Sequence, residues 1–217
     1  MPSALLLDLD DTLIDDRGAM ADAVLLFRKT HNLCCSEEDH SVAARWDEVG
    51  RSLWRRMALG EVTFIEQRRL RLKETFDIAP SDAEADSLFN SYLGFYERTW
   101  RLMPGAQAFL NHTAHLPRAI VTNGLGAQAR KKLDRLGLTK HFQVVVTPDD
   151  CGVRKPDLRF FNYALDLLGV KAEDVLMIGD SEEADIAPAL LLGMKAFHVS
   201  PHIPGRSIED AAHAAKE

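Results

Sequence analysis

Apolar residues follow two rhythms along this chain. From Pro104 onward, short β-rich runs, PRAIVTN (117–123), FQVVVT (142–147), DVLMIGD (174–180) and MKAFHVS (194–200), alternate with helical patterns near 105–115, 126–136, 157–168 and 182–192. Strand and helix in alternation predict a parallel sheet with helices on both faces, and the opening run at 4–8 supplies a further strand. Pro104 is placed to open a first helical turn. Residues 15–101 break the rhythm. AMADAVLLFRKTHNL, HSVAARWDEVGRSLWRRMAL, TFIEQRRLRLKETF and SDAEADSLFNSYLGFYERTW are helical in period and hold no convincing strand. Gly60 separates the second from the third, and Ser81 with Glu84 gives the last a capping box. The expected organisation is an α/β core from residues 1–14 and 102–217, with an all-helical insertion at 15–101.

Composition narrows the classes. The chain has 217 residues, 46% hydrophobic and 27% charged, which sets aside disordered and fibrous proteins and leaves one large domain or a core with an insertion. A net charge of −7 with no block of lysine and arginine argues against a nucleic-acid polymer as partner and leaves room for a small anion in a local cationic pocket. No apolar run reaches the roughly 20 residues of a bilayer span, so no membrane role is expected. MPSALLLDLDD lacks the basic start and cleavage site of a signal peptide, and a cytoplasmic location is the expectation. Cys34, Cys35 and Cys151 make a poor disulfide framework and read as reduced bystander thiols.

Chemistry concentrates where strands end. In LLLDLDDTLIDD (5–16) a run suited to a buried strand leads into Asp8, Asp10 and Asp11, acids that repel one another unless solvent, a cation or a catalytic role compensates. Ligands of parallel α/β folds bind beyond the carboxyl ends of strands. There the chain places Asp8, Asp10, Asp11 and Thr12, then Thr122, Asn123 and Gly124, then Gly179, Asp180 and Ser181 with Asp185 on the next turn. Lys155 lies in the loop GVRKPD. Such a set suits a hard divalent cation and a phosphoryl group: Asp8 and Asp180 are candidate Mg2+ ligands, and Lys155, Thr122 and Asn123 can meet phosphate oxygens. Phosphate monoesters hydrolyse so slowly that positioning calls for covalent help, which an aspartate nucleophile provides. An acid two residues on, on the same side of an extended segment, can protonate the leaving oxygen. Asp8 and Asp10 have that spacing. Each piece alone also reads as a charged strand end, a turn, a solvated lysine or a helix cap; all four in order argue for chemistry.

The ordered motifs resemble those of the haloacid dehalogenase-like (HAD) hydrolase superfamily, in its phosphatase branch with a helical cap inserted after the first motif. DLDDT is similar to its first motif, VTNG to its second, the lysine of RKPD to its third and GDSEEAD to its fourth. The resemblance implies an α/β, Rossmann-like parallel core with an inserted helical cap, Mg2+ as cofactor and an aspartyl-phosphate intermediate. It implies Asp8 as nucleophile and metal ligand, and Asp10 as general acid and base with its main-chain carbonyl on the metal. Asp180 would be a further metal carboxylate, Thr122, Asn123 and Lys155 would surround the phosphoryl group, and Asp185 would orient the lysine or metal-bound waters. Phosphomutase and dehalogenase are the alternatives within the superfamily. Asp10 argues against the dehalogenase, because an ester's leaving oxygen needs a proton and a halide does not. Phosphomutases typically follow that aspartate with Gly-Val, where this chain has Thr12.

The expected partner is a small phosphorylated metabolite. RSLWRRMALGEVTFIEQRRLRL and GDSEEADI are similar to the group of pyrimidine nucleotidases and acylneuraminate phosphatases. Trp54, Arg55 and Arg56 in the insertion are candidates for contacting the substrate, against the alternative that Trp54 packs in the insertion's core and the arginines are solvated. Asp15, Asp16, Arg17 and Gly18 read as the hinge into a cap whose closure would exclude water. A phospho-accepting signalling module is the alternative from outside enzymology, but such modules are shorter and carry the phosphorylated aspartate on a later strand.

Overall fold

The computed structural model describes residues 1–33, 38–200 and 203–216; Cys34 and Cys35 lie outside the described residues. By its internal contacts the chain divides into two compact units, one formed by Met1–Asp15 with Arg101–Glu217 and the other by Asp16–Trp100. The first is built on five parallel strands, β1 (Ala4–Leu7), β2 (Arg118–Val121), β3 (Val144–Val146), β4 (Val175–Gly179) and β5 (Lys195–His198), in the spatial order β3-β2-β1-β4-β5. Central β1 is buried on both faces, which is why it reads as an unbroken apolar run. Its side chains still alternate. Leu5 and Leu7 join Phe109, Leu133 and Ile178 on one face, while Ala4 and Leu6 join Val121, Phe160 and Met177 on the other.

The second unit is four helices, α1 (Asp16–Thr30), α2 (Asp39–Ala58), α3 (Phe64–Phe76) and α4 (Asp82–Thr99). Capping boxes, Thr63 with Glu66 and Ser81 with Glu84, satisfy backbone donors at the starts of α3 and α4. The unit's core is aromatic. Trp46 lies 4.5 Å from Tyr92 by ring centroids and donates its Nε1–H to the Tyr92 hydroxyl at 3.1 Å, with Phe76 and Phe89 around it. Buried Arg71 covers the Trp46 ring at 4.3 Å, and Gly50 makes the room, since a Cβ there would fall 2.5 Å from the guanidinium carbon. Trp54 is half-buried with its ring 6.3 Å from Phe64, Arg55 is exposed, and Arg56 faces Glu61 and Glu74 at 3.4 and 3.8 Å. Among the described residues, no helix is long and apolar enough to cross a membrane.

In the sheet unit, α5 (Ala106–His112) and α6 (Gly126–Arg135) contribute to the Leu5 face, and a short α7 (Pro148–Cys151) follows β3. Helices α8 (Leu158–Leu168) and α9 (Ala187–Leu191) cover the Leu6 face, and α10 (Ala211–Ala214) returns to the Leu5 face. Two expected boundaries are corrected. Pro104 lies in the turn before α5, because Gly105 at φ 82 bends the chain through the left-handed region before the helix begins. The helix expected over 182–192 opens instead as a π-helical turn, Glu182–Ile186, ahead of α9. Such turns re-aim a side chain within a helical path, and here the residue concerned is Asp185.

Candidate active site

Strand register brings the acids to one edge of the sheet. Leu7 is level with Ile120 and Ile178, and the Asp8 N–H extends the ladder to the Ile178 carbonyl at 2.9 Å. Asp8, Thr122 and Asp180 therefore leave three adjacent strands at the same end. Beyond Asp8 the chain turns sharply. Asp11 takes φ 60, a conformation aspartate tolerates better than most residues, and its N–H reaches the Ile14 carbonyl at 2.7 Å. That turn lets the Thr12 hydroxyl donate back to Asp8 Oδ2 at 3.1 Å.

Lys155, from the loop before α8, donates to Asp8 Oδ1 and to Asp185 Oδ1, both at 2.6 Å, with all three residues buried. Burial pushes the Asp8 carboxyl up to about 6, with Lys155 pulling it down and Asp185 pushing it further up. Burial works against the charge on Lys155 too, but the two carboxylates outweigh it and hold the ammonium above the ordinary lysine value. Asp185 reaches this position because position 179 is glycine: a Cβ there would lie 2.4 Å from Asp185 Oδ2. The Ser181 N–H donates to that same oxygen at 3.1 Å. Gly179→Ala is therefore expected to cost about 1–3 kcal/mol through overpacking and to displace Asp185 from Lys155. Thermal melts read the first effect, and loss of whatever turnover the wild type has reads the second.

Asn123 also braces the loop that carries Lys155. Its side-chain amide donates to the Lys155 carbonyl at 2.9 Å and accepts from the Lys155 N–H at 2.8 Å. Both ends of the amide hold the loop that carries the ammonium. The Thr122 hydroxyl, which accepts from the Gly124 N–H at 3.1 Å, still has its own proton to give. Asp8, Asp180 and Asp185 each offer a carboxylate oxygen, all within 4.8 Å of one another. Three hard oxygen donors at that spacing fit a small divalent cation such as Mg2+. His198, at the end of β5, has a ring nitrogen 2.8 Å from the Asp180 carbonyl.

Two neighbours of the acids carry no role in the sequence reading. Thr12 stands beside Asp8, as above. Lys132 on α6 donates to Asp10 Oδ1 at 2.6 Å. Its signal is present in the helical pattern, since α6 buries Lys132 together with Gly126, Ala129 and Leu133, and a lysine on a helix's buried stripe needs a partner. Trp54 and Arg55 belong to the four-helix unit.

A family model for haloacid dehalogenase-like hydrolases matches residues 2–193. The chain is 32% identical over 222 residues to a phosphoserine phosphatase of Thermus thermophilus, covering 90% of this chain and 87% of that protein. It is 27% identical over 159 residues to the pyrimidine 5'-nucleotidase YjjG of Escherichia coli, covering 72% and 70%. Among solved structures, the HAD-hydrolase YfnB from Bacillus subtilis, bound to magnesium, aligns over 100% of this chain and 99% of its own with a TM-score of 0.81 and 27% identity.

Proposed function

Because the chain belongs to the haloacid dehalogenase-like hydrolase family, we propose that this enzyme is a Mg2+-dependent phosphomonoester hydrolase working through an aspartyl-phosphate on Asp8. The observation that carries the reading is the Lys155 ammonium, held 2.6 Å from both Asp8 and Asp185 at the strand ends where Thr122 and Asp180 also lie. A fixed cation beside a buried carboxylate is what an incoming phosphoryl dianion needs for approach.

In the first displacement a carboxylate oxygen of Asp8 attacks phosphorus, the P–O bond to the ester oxygen breaks, and protonated Asp10 gives its proton to that departing oxygen. In the second, the Asp10 carboxylate takes a proton from the water that attacks phosphorus, the bond to Asp8 breaks, and inorganic phosphate leaves. Thr12 holds one oxygen of Asp8, the Thr122 hydroxyl donates to the phosphoryl group, and Lys155 offsets its charge. Asp8 and Asp180, with the Asp10 main-chain carbonyl, would hold Mg2+, which supplies charge neutralisation for the phosphoryl oxygens. The four-helix unit acts as the cap, with Trp54 and Arg55 as its candidate substrate contacts. The substrate is a small phosphorylated metabolite, in keeping with the phosphoserine and nucleotide esters in the names of two relatives.

The test is release of inorganic phosphate from p-nitrophenyl phosphate, phosphoserine, uridine monophosphate and β-glycerol phosphate, with Mg2+ and with EDTA. Phosphate release that requires Mg2+ is the expected outcome. A protein that frees halide from a 2-halo acid but no phosphate from any ester overturns the reading.

A further inference from the structure

The hydrolase reading gives Lys132 nothing to do, yet its place is costly. Its side chain is 2% exposed, against 30% for Asp10, and an ammonium taken out of water loses hydration worth several kcal/mol. A methionine would fill the same length of the apolar stripe between Ala129 and Leu133 without that loss. What the ammonium adds is its contact with Asp10 Oδ1 at 2.6 Å, made across 122 positions of sequence.

The contact divides the carboxyl group. With Oδ1 on Lys132, the other oxygen lies against the loop after β2: a Cβ built on Gly124 would fall 3.6 Å from Asp10 Oδ2 and 3.3 Å from Thr122 Oγ1. Oδ2 and the Thr122 hydroxyl thus border one gap, which Gly124 keeps open. The base of α6 is anchored as well, because the Gly126 N–H donates to Asp149 Oδ2 at 2.9 Å. A lysine rising from an anchored helix onto one carboxyl oxygen selects a single orientation of that carboxyl.

We propose that Lys132 is a positioning residue that holds Asp10 Oδ1, so that Oδ2 faces the leaving ester oxygen beside Thr122. The proposal rests on the phosphatase reading. Its balance is that of the first displacement: the proton on Oδ2 passes to the ester oxygen as the P–O bond breaks, and the Asp10 carboxylate left behind stays paired with the Lys132 ammonium.

The consequence depends on the leaving group. Alkyl alcohols leave phosphorus only with a proton, whereas p-nitrophenolate departs without one, so in the first displacement, which kcat/KM reads apart from the shared hydrolysis of the phospho-enzyme, damage to Asp10's orientation should weigh on the alkyl ester alone. The experiment compares wild type, Lys132→Met, Lys132→Gln, Asp10→Asn and Lys132→Met/Asp10→Asn on p-nitrophenyl phosphate. The second ester is whichever of phosphoserine, uridine monophosphate and β-glycerol phosphate the wild type turns over fastest. General acid–base groups contribute about 10²–10⁴-fold. Lys132→Met is expected to lose roughly 10²-fold in kcat/KM on the alkyl ester and less than about fivefold in kcat/KM on p-nitrophenyl phosphate. Lys132→Gln, whose amide can still donate to Oδ1, is expected to fall between Met and wild type. The double variant should be no slower on the alkyl ester than Asp10→Asn. Because the ratio of the two esters is taken within each variant, a partial loss of folded protein cancels. Equal losses in kcat/KM on both esters, or a double variant slower than Asp10→Asn by the full Lys132→Met factor, would each overturn the proposal while leaving the phosphatase reading intact. A wild type that hydrolyses no ester overturns both.

Discussion

Asp8→Asn is expected to lower kcat for phosphate release by at least about 10⁴-fold, the scale of removing an enzyme nucleophile, while the protein stays folded. Asparagine has the same shape, so the Asp8 N–H to Ile178 and an oxygen for Thr12 or Lys155 are retained. It cannot carry the phosphoryl group. The substitution also removes a buried acid that desolvation and Asp185 already push up to about 6, so the melting temperature should be unchanged or higher, as at sites where function costs stability. Acid-quenched wild type with substrate should yield a phosphorylated peptide containing Asp8, and the variant should not. Residual turnover within tenfold of wild type, or a phosphoryl group mapped to another residue, would remove Asp8 as nucleophile.

Lys155→Met should have the largest effect on stability. It takes away the cation shared by Asp8 and Asp185 and leaves two carboxylates facing each other inside the protein, Asp185 only 1% exposed. Breaking a buried pair in this way costs about 3–5 kcal/mol, a large part of the 5–15 kcal/mol that holds a domain. A drop in melting temperature of about 10 °C is the expected scale, measured in EDTA, with kcat lost as well. The pH dependence has a definite sign. In the wild type the folded Asp8 carboxyl, at about 6, keeps a proton that the unfolded one, near its ordinary 3.8, gives up. That contribution is fully present below the unfolded value and is lost as pH rises through about 6. Without the downward pull of Lys155 the folded Asp8 moves higher still, so the variant should be closest to wild type near pH 4 and furthest from it above pH 7. Adding Asp185→Asn removes one of the facing charges and should restore much of the loss. A Lys155→Met protein as stable as wild type at pH 8 contradicts this account of the triad.

How much was legible in advance follows from the range of each interaction. Strands β1, β2 and β4 stand out because a strand buried on both faces is apolar nearly throughout, and β3 and β5 by their place in the alternation of β-rich runs and helical periods. Helix α4 announces itself through a capping box, Ser81 with Glu84, that involves residues only three apart. Asp8, Thr122 and Asp180 are found by a topological rule, that ligands sit beyond the carboxyl ends of parallel strands, and Lys155 by its place in an ordered motif. The contacts that complete the site are of another kind. Asn123 holds Lys155 from 32 positions away and Lys132 holds Asp10 from 122 positions away. Periodicity puts Lys132 on the buried stripe of α6 without naming its partner, and nothing periodic marks the hold of Asn123 on Lys155.

The sequence by itself therefore determined the parallel α/β core, the helical run between residues 15 and 101, and the acids at the strand ends, because hydrophobic period and caps act over a few residues. Only the tertiary structure decided the geometry in which those charges meet. Lys155 settles between Asp8 and Asp185, Gly179 clears the space for Asp185, and the π-helical turn sets that residue's path. Those outcomes depend on how separate strand ends converge in three dimensions, and at distances near 3 Å a shift of one side chain changes which pair of charges forms.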